Sequence, residues 1–254
     1  MGRGHKRPKK NLRFSRILDV LQDSFRKIDD YRAPERIDYQ IDDIYTAAFA
    51  MFYFQDKSLL EFQRQLENKY RQNNLSAVCN VSAIPKDSQL RDFIDNCSYK
   101  PIISVFKDYF SRLQRGKYLD KFQTFGGKYL VTIDGSVYFS SNKLECEKCL
   151  TKEHANGKTT YQHQILQVTL VHPDKKQVIP LAPEFIRNGD GGKKQDCEIN
   201  AGKRLIHTIK KDHPRLPMII VGDSLYSKGP FVKELSSLRY SFIYIRMEQQ
   251  RVSQ

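Results

Sequence analysis

Two short apolar runs in this sequence each end in an aspartate, and this repeated arrangement constrains the fold more than any other feature. Residues 128–141 (KYLVTIDGSVYFSS) carry a β-branched run before Asp134, and residues 216–226 (LPMIIVGDSLY) carry a similar run before Asp223. Each run predicts a strand that ends at its aspartate, the first one buried on both faces. If the two strands are neighbours in one sheet, both carboxylates emerge at the same edge, where they can share a divalent cation that prefers oxygen ligands.

The first aspartate also has a simpler interpretation. Asp134 is followed by Gly135, and Asp-Gly pairs commonly close β-hairpins, so Asp134 can be a turn residue. The second run weakens that alternative, because Asp223 follows Gly222 and an apolar run in the same way. A carboxylate at the end of a buried strand is costly unless it is hydrogen-bonded or binds a metal, so the pair predicts a site.

The charge of the chain indicates what class of partner it binds. The 254 residues are 39% hydrophobic and 28% charged, as in a soluble globular protein. The formal net charge is +14, and seven of the 43 Lys and Arg residues fall within residues 1–16, where no acid offsets them. Such an arm predicts a polyanion as partner, a solvated tail being the alternative. The longest apolar run, residues 47–54, is too short to span a bilayer, so no membrane association is predicted.

The cysteine content indicates the compartment. Five cysteines are an odd number, which argues against a secreted disulfide framework and favours a reducing cytosol. Three of them are predicted to be small buried residues: Cys79, Cys97 and Cys197.

The other two cysteines form a candidate zinc site. Cys146 and Cys149 make a CxxC pair, and His154 and His163 follow as candidate further ligands of a tetrahedral zinc ion. The histidine spacing differs from that of a zinc-finger helix. A plain hairpin loop, with His163 packing on a strand, is therefore the alternative.

The periodicity of the apolar residues divides the chain into two parts. The first part repeats at helical spacing and predicts five helices, which begin near Phe14, Ile41, Ser58, Pro85 and Pro101. The third is expected to continue from Ser58 to Tyr70. After Gly127 the pattern predicts strands at residues 129–134, 161–172, 177–181, 218–223 and 240–245, and helices at residues 196–211 and 230–238.

These elements predict the domain organisation. A basic arm occupies residues 1–16, a helical DNA-binding domain occupies residues 17–126, and a mixed α+β or α/β core occupies residues 127–254. The core order β-β-β-α-β-α-β is that of an RNase-H-like mixed sheet, in which the first and fourth strands are neighbours.

Five ordered blocks of the sequence resemble a known family. The blocks are IDGSVYFSS, CEKCLTKEH, TYQHQILQVTLVHPDKKQVIPLAPEFI, KKQDCEINAGKRL and VGDSLYSKGPFVKEL. They are similar to the RNase-H-like DDE transposases of bacterial insertion sequences, and the likeness extends over residues 49–245. In that family one aspartate follows the first strand and another follows the fourth, which corresponds to Asp134 and Asp223, 89 residues apart (223 − 134).

The resemblance implies an activity and a setting. It implies that Asp134 and Asp223 bind two Mg²⁺ or Mn²⁺ ions and that the protein cleaves and transfers strands of double-stranded DNA. It also implies a homo-oligomer on DNA and a location in the bacterial cytoplasm, in association with the nucleoid. In nucleases of this architecture a carboxylate from the helix after the third strand can approach the metal pair, and Glu198 has that position here. The alternative is that Glu198 merely favours the positive end of its helix.

The C-terminus departs from the family pattern. The family's third carboxylate is a glutamate on a helix after the fifth strand, whereas Glu248 lies only 25 residues beyond Asp223 (248 − 223) and the chain ends at Gln254. Glu248 is not predicted to be the third ligand, and the chain is interpreted as a transposase shortened at its C-terminus. Two other functions stay open, a non-catalytic DNA-binding relic and an RNase-H-like nuclease that uses Glu198 in place of a distal glutamate.

Overall fold

The computed structural model describes residues 12–66, 68–81, 83–188 and 195–245. The chain divides into two compact units, Met1–Gly116 and Lys117–Gln254. Most of the predicted basic arm, up to residue 11, lies outside the described residues, and so does Glu248. Within the described ranges no helix is long and apolar enough to cross a membrane.

The first unit is helical, as its periodicity predicts. Its helices are α1 (Phe14–Phe25), α2 (Ile41–Tyr53), α3 (Leu59–Leu66), α4 (Lys69–Cys79), α5 (Asp87–Asp95) and α6 (Lys100–Arg115). Its buried core draws on most of them through Leu21, Phe25, Ile44, Ala47, Phe62, Leu75, Phe93 and Val105. Gly116 ends α6 as predicted.

One prediction for this unit is wrong. The helix expected to run from Ser58 to Tyr70 is divided into α3 and α4. The Ser58 hydroxyl does cap the first of these, because its Oγ accepts a hydrogen bond from the Glu61 N–H at 3.1 Å. The second begins at its own cap, where the Asn68 side chain accepts a hydrogen bond from the Tyr70 N–H at 3.0 Å. An asparagine that can accept such a bond favours starting a new helix over continuing the old one.

The second unit contains a mixed sheet flanked by two helices. Its strands are β1 (Tyr129–Ser141), β2 (Leu150–Glu153), β3 (Thr159–Val171), β4 (Ile179–Ile186), β5 (Met218–Asp223) and β6 (Ser241–Ile245), and its helices are α7 (Glu198–Asp212) and α8 (Gly229–Ser237). The strand order is β2-β3-β1-β5-β6, with β4 also paired to β3. β1 is antiparallel to β3 and parallel to β5, and β5 is parallel to β6. The two aspartate-bearing strands are therefore neighbours, as predicted.

The sheet has one well-buried face. Buried side chains from the three central strands share it: Val131 and Ile133 of β1, Val168 and Leu170 of β3, and Ile220 of β5. The buried residues of the two helices, which include Leu205, Ile209, Phe231 and Leu235, are the apolar stripe that such a face requires.

Two predictions for β1 are wrong. The strand is not buried on both faces, because Leu130 and Thr132 are half-buried while Tyr129, Val131 and Ile133 are buried. Alternating burial is the pattern of a sheet covered fully on one side. The strand also continues beyond its aspartate to Ser141, so the Asp-Gly pair does not close a hairpin.

The structure adds a strand that the sequence pattern did not predict. β2 pairs antiparallel with β3, from Leu150 opposite Gln162 to Glu153 opposite Thr159. Only Leu150 of its four residues is buried, so the segment lacks the alternating apolar residues by which a strand is recognised. The order of the core is thus β-β-β-β-α-β-α-β rather than β-β-β-α-β-α-β.

Candidate functional site

We call Asp134, Glu198 and Asp223 the acidic cluster, and the register of the sheet aligns its two aspartates. β1 and β5 pair in parallel with Thr132 opposite Val221. Asp134 and Asp223 each follow two residues later, so the ladder carries them to the same level on adjacent strands, whose axes are about 4.8 Å apart. Since side chains alternate along a strand, both carboxylates leave the same face of the sheet.

Glu198 reaches β1 from the first turn of α7. A Cβ atom at Gly135, the residue after Asp134, would lie 2.7 Å from the Glu198 Cδ and 2.8 and 2.9 Å from its two oxygens. No side chain can occupy that space, so the glycine is what admits the glutamate to β1. Glu198 is half-buried there, whereas Asp134 and Asp223 are exposed. The α7 carboxylate therefore lies against β1 at the residue that follows Asp134.

One oxygen of each carboxylate in the acidic cluster accepts a hydrogen bond. The donors are the Gly135 N–H to Asp134 Oδ1 at 2.9 Å, the Leu225 N–H to Asp223 Oδ1 at 2.9 Å, and the Tyr226 hydroxyl to Glu198 Oε1 at 2.5 Å. Such bonds restrict the rotation of a carboxylate and so direct its second oxygen, as outer-shell donors do in metal sites.

Tyr226 is the member of the site that sequence reasoning missed. Its side chain is buried and its ring lies 5.2 Å from that of Phe231. Burial raises the pKa of Tyr226 most, followed by its hydrogen bond to Glu198 and then by the charges of Asp223 and Asp134. All three carboxylates therefore contribute to the raised pKa of this hydroxyl, which stays protonated and acts as a hydrogen-bond donor. The signal available in the sequence was a tyrosine three residues after Asp223.

A second acid near the start of α7 has a different role. Asp196 is buried and binds Arg204, with 2.8 Å between Oδ2 and Nη2. Burial alone would raise the pKa of Asp196, but the hydrogen bonds from Arg204 and from the Cys197 N–H lower it below its usual value. Arg204 also pairs with Glu184 at 2.6 Å. Asp196 is therefore part of a structural ion-pair network, and Glu198 is the acid of this helix that reaches β1.

Cys146, Cys149 and His163, which we call the thiol cluster, form a second candidate site in this unit. The two Sγ atoms are 3.4 Å apart, and the His163 Nε2 lies 3.4 Å from one and 3.5 Å from the other. The Cys146 N–H also donates to the Cys149 Sγ at 3.3 Å. Ligands of a tetrahedral zinc ion, with bonds of about 2.3 Å to sulfur and about 2.0 Å to nitrogen, are separated by roughly 3.5–3.8 Å. The three atoms are arranged much as such an ion requires.

His154, predicted as a further zinc ligand, lies elsewhere. The β2–β3 register places Leu150 opposite Gln162, so Cys149 is level with His163, whereas His154 is five residues farther along the hairpin. At about 3.4 Å per residue that is roughly 17 Å. The His154 Nε2 instead lies 2.8 Å from the Thr160 hydroxyl. The prediction for His154 is wrong because the β2–β3 register places His163 beside the cysteines, although His154 is closer to them in sequence.

The two clusters differ in compactness. Within the part of the chain that the structure describes, the thiol cluster is the group whose potential ligand atoms all lie within 4.8 Å of one another. The carboxylates of the acidic cluster are spaced more widely. Cys197, predicted to be buried, is exposed, while Cys79 is buried and Cys97 is half-buried.

The chain was compared with known families, curated proteins and solved structures. No family model matches it, and no curated protein is significantly similar to it. It is similar in structure to the piggyBac transposase in a synaptic complex with hairpin DNA, at a TM-score of 0.47 and 15% sequence identity. The match covers 100% of this chain and 55% of that transposase chain, so the present chain spans little more than half its length.

Proposed function

We propose that this chain cleaves and joins DNA phosphodiesters, as an RNase-H-like DDE transposase of a bacterial insertion sequence. The observation that carries the proposal is the β1–β5 register, which brings Asp134 and Asp223 to one level although they are 89 residues apart in sequence. A separate turn or capping role for each aspartate would account neither for their common level nor for the approach of Glu198 to Gly135.

The donor set fits Mg²⁺ or Mn²⁺. Carboxylate oxygens are the ligands that these hard cations prefer. Asp134 and Asp223 would hold two ions, with Glu198 contributing from α7. Two such ions supply activation of a water or DNA 3′-hydroxyl and neutralise charge on the leaving oxygen of an in-line displacement.

The residues around the cluster would hold the carboxylates in place during that chemistry. The Gly135 and Leu225 N–H groups restrain the two aspartates, and the buried Tyr226 hydroxyl restrains Glu198. Because Tyr226 stays protonated, it acts as a donor that orients Glu198 and not as a base. Preorganised carboxylates of this kind reduce the reorganisation that the reaction would otherwise require.

Double-stranded DNA is the partner that the charge supports. The formal net charge is +14, with seven Lys and Arg residues in residues 1–16. Phosphate contacts made by such residues release counterions and do not depend on the base sequence. The protein would act at the ends of its element as a homo-oligomer in the nucleoid.

A second function is favoured by one observation. Because Glu198 meets β1 beside Asp134, it can act as a third carboxylate without any residue from beyond β6. A nuclease of RNase-H-like architecture that uses Glu198 in this way would hydrolyse a strand without joining it to another.

Assays on one preparation of the full chain separate these functions. With Mg²⁺ or Mn²⁺ present, we expect nicking of supercoiled plasmid, a gel shift on linear DNA, and joining of an oligonucleotide 3′-hydroxyl to the plasmid. The variants Asp134→Asn, Asp223→Asn and Glu198→Gln should lose nicking and joining while retaining the gel shift. Nicking without joining, lost in Glu198→Gln, would support the nuclease instead. A gel shift without nicking would overturn both and leave a non-catalytic DNA-binding protein.

A further inference from the structure

The outer half of the β1–β3 ribbon has little apolar core. We call this part, residues 136–165, the distal arm; it contains the ends of β1 and β3 beyond the acidic cluster together with β2. Of its residues only Cys149, Leu150 and Thr160 are buried, although the structure describes the whole segment. A ribbon of this kind is marginal in water unless something other than apolar packing stabilises it.

The thiol cluster lies where it can tie the arm together. Cys146 and Cys149 belong to the connection between β1 and β2, and His163 belongs to β3 opposite Phe139. The His163 ring is flanked by Tyr138, at 5.8 Å between centroids, and by Phe139, at 5.5 Å. The imidazole is thereby held with its Nε2 toward both sulfurs. The β1–β2 connection and β3 therefore meet at the three ligand atoms.

We propose that Cys146, Cys149 and His163 bind one Zn²⁺ ion, and that this ion holds the distal arm together in place of a hydrophobic core. Two thiolates and an imidazole select zinc over Mg²⁺ and Mn²⁺. Cys146 is exposed, so solvent completes the tetrahedron. The Cys146 N–H already donates a hydrogen bond to the Cys149 Sγ. Such a bond would offset part of the negative charge on a zinc-bound thiolate.

The CxxC pair has one competing role, a redox-active disulfide. The Sγ atoms are 3.4 Å apart, compared with about 2.05 Å in a disulfide. A disulfide also gives no reason for His163 Nε2 to approach both sulfurs equally. The third ligand atom is thus the observation that favours a metal.

Zinc content is the first test, and it does not depend on any catalytic activity. The full chain, purified under reducing conditions, should bind one Zn²⁺ per molecule, and Co²⁺ in its place should give thiolate-to-metal charge-transfer bands. Cys149→Ser and His163→Ala should each weaken zinc affinity by more than about 100-fold, since even outer-shell changes cost 10–100-fold. The matched controls Cys197→Ser and His154→Ala should bind zinc as the parent chain does.

Hydrogen exchange on the unaltered chain is the second test, and it needs no variant that might fail to fold. Removing zinc with a chelator should accelerate exchange in residues 136–165 and leave the β1–β5 ladder unchanged, because local stability is set by local contacts. The proposal is overturned if the parent chain takes up no zinc. It is also overturned if His154→Ala loses zinc while His163→Ala retains it, or if mass spectrometry shows a Cys146–Cys149 disulfide in the reduced preparation. A third contradicting result would be a hydrogen-exchange rate in the distal arm that does not change when zinc is removed.

Discussion

The acidic cluster and the thiol cluster belong to the same unit of the chain but are assembled over very different distances in sequence. Asp134 and Asp223 lie at one level because two strands 89 residues apart pair in parallel, and Glu198 is on the intervening helix. The thiol cluster is contained within residues 146–163 and is closed by one short turn and one hairpin. The first site therefore requires the whole sheet, whereas the second requires only its local arm.

The two clusters also differ in how their ligands are held. The carboxylates are oriented by single hydrogen bonds from the backbone and from Tyr226. The sulfur and nitrogen atoms already lie near three corners of one tetrahedron. A site for chemistry has to accommodate substrate and ions as they change, whereas a site that ties one arm together has to hold a single ion in a fixed position. We therefore expect substitutions in one cluster to leave the function of the other intact.

The largest expected effect is the loss of activity on removing an aspartate of the acidic cluster. Asp134→Asn or Asp223→Asn should lower the rate of plasmid nicking by about 10³-fold, because a metal ligand of this kind contributes roughly 4 kcal/mol of transition-state stabilisation. Zinc content should not change. Asp174→Asn is the matched control, since that carboxylate is 88% exposed and lies in the turn after β3. Equal losses in Asp174→Asn and Asp134→Asn would contradict the assignment of the site.

The next effect tests how Glu198 reaches β1. Gly135→Ala would place a Cβ atom 2.7 Å from the Glu198 Cδ, so the carboxylate has to move, and we expect nicking to fall by about 100-fold because active sites tolerate displacements of about 1 Å poorly. Gly229→Ala is the control, because a Cβ atom there meets nothing within 4 Å. Thermal unfolding measured on both variants separates a displaced carboxylate from a destabilised sheet. Full activity in Gly135→Ala would show that Glu198 has no part in the reaction.

A smaller effect is expected from the hydroxyl that orients Glu198. Tyr226→Phe keeps the ring against Phe231 and removes the donor to Glu198, so nicking should fall about 10-fold, as for outer-shell partners in other metal sites. Stability should fall by about 1 kcal/mol. Tyr240→Phe is the matched control, because the structure gives its buried hydroxyl no hydrogen-bond partner. The idea fails if nicking and its dependence on Mg²⁺ concentration are the same in Tyr226→Phe as in Tyr240→Phe.

The sequence predicted the aspartates better than their surroundings. The apolar runs before Asp134 and Asp223 were sufficient to predict two strands, because an apolar run is a local feature of the sequence. That the two strands are neighbours was predicted from the order of the elements in the core. The extent of β1 beyond Asp134 was not predictable in this way, since none of residues 136–141 is buried and their conformation depends on pairing with β3. The strand is longer than predicted because its outer half pairs with β3, and a local sequence pattern does not reveal such tertiary pairing.

The thiol cluster shows the same limit at shorter range. The CxxC pair was visible in the sequence, but the choice between His154 and His163 depends on the β2–β3 register. That register is set by a four-residue strand with a single buried side chain. A one-residue change in hairpin register exchanges the faces of all its side chains, so the third ligand could be identified only from the paired structure. Tyr226 was missed for a related reason, because its partner Glu198 is 28 residues away in sequence.

The smallest expected effect on activity concerns the second acid near the start of α7, and it separates structural from functional carboxylates. Asp196→Asn should leave nicking and zinc content unchanged but lower stability by about 1–2 kcal/mol at pH 7, since it weakens a charged hydrogen bond to the partly exposed Arg204. Because the pKa of Asp196 is lowered in the folded chain, its contribution is present above the unfolded pKa of about 3.9 and is lost as the pH falls through the folded value. Chemical denaturation at several pH values should therefore show the parent chain and Asp196→Asn converging in stability under acid conditions.

Glu198→Gln should behave in the opposite way, with activity lost and stability little changed at pH 7. A parallel loss of activity in Asp196→Asn would show that both acids of this helix serve the reaction.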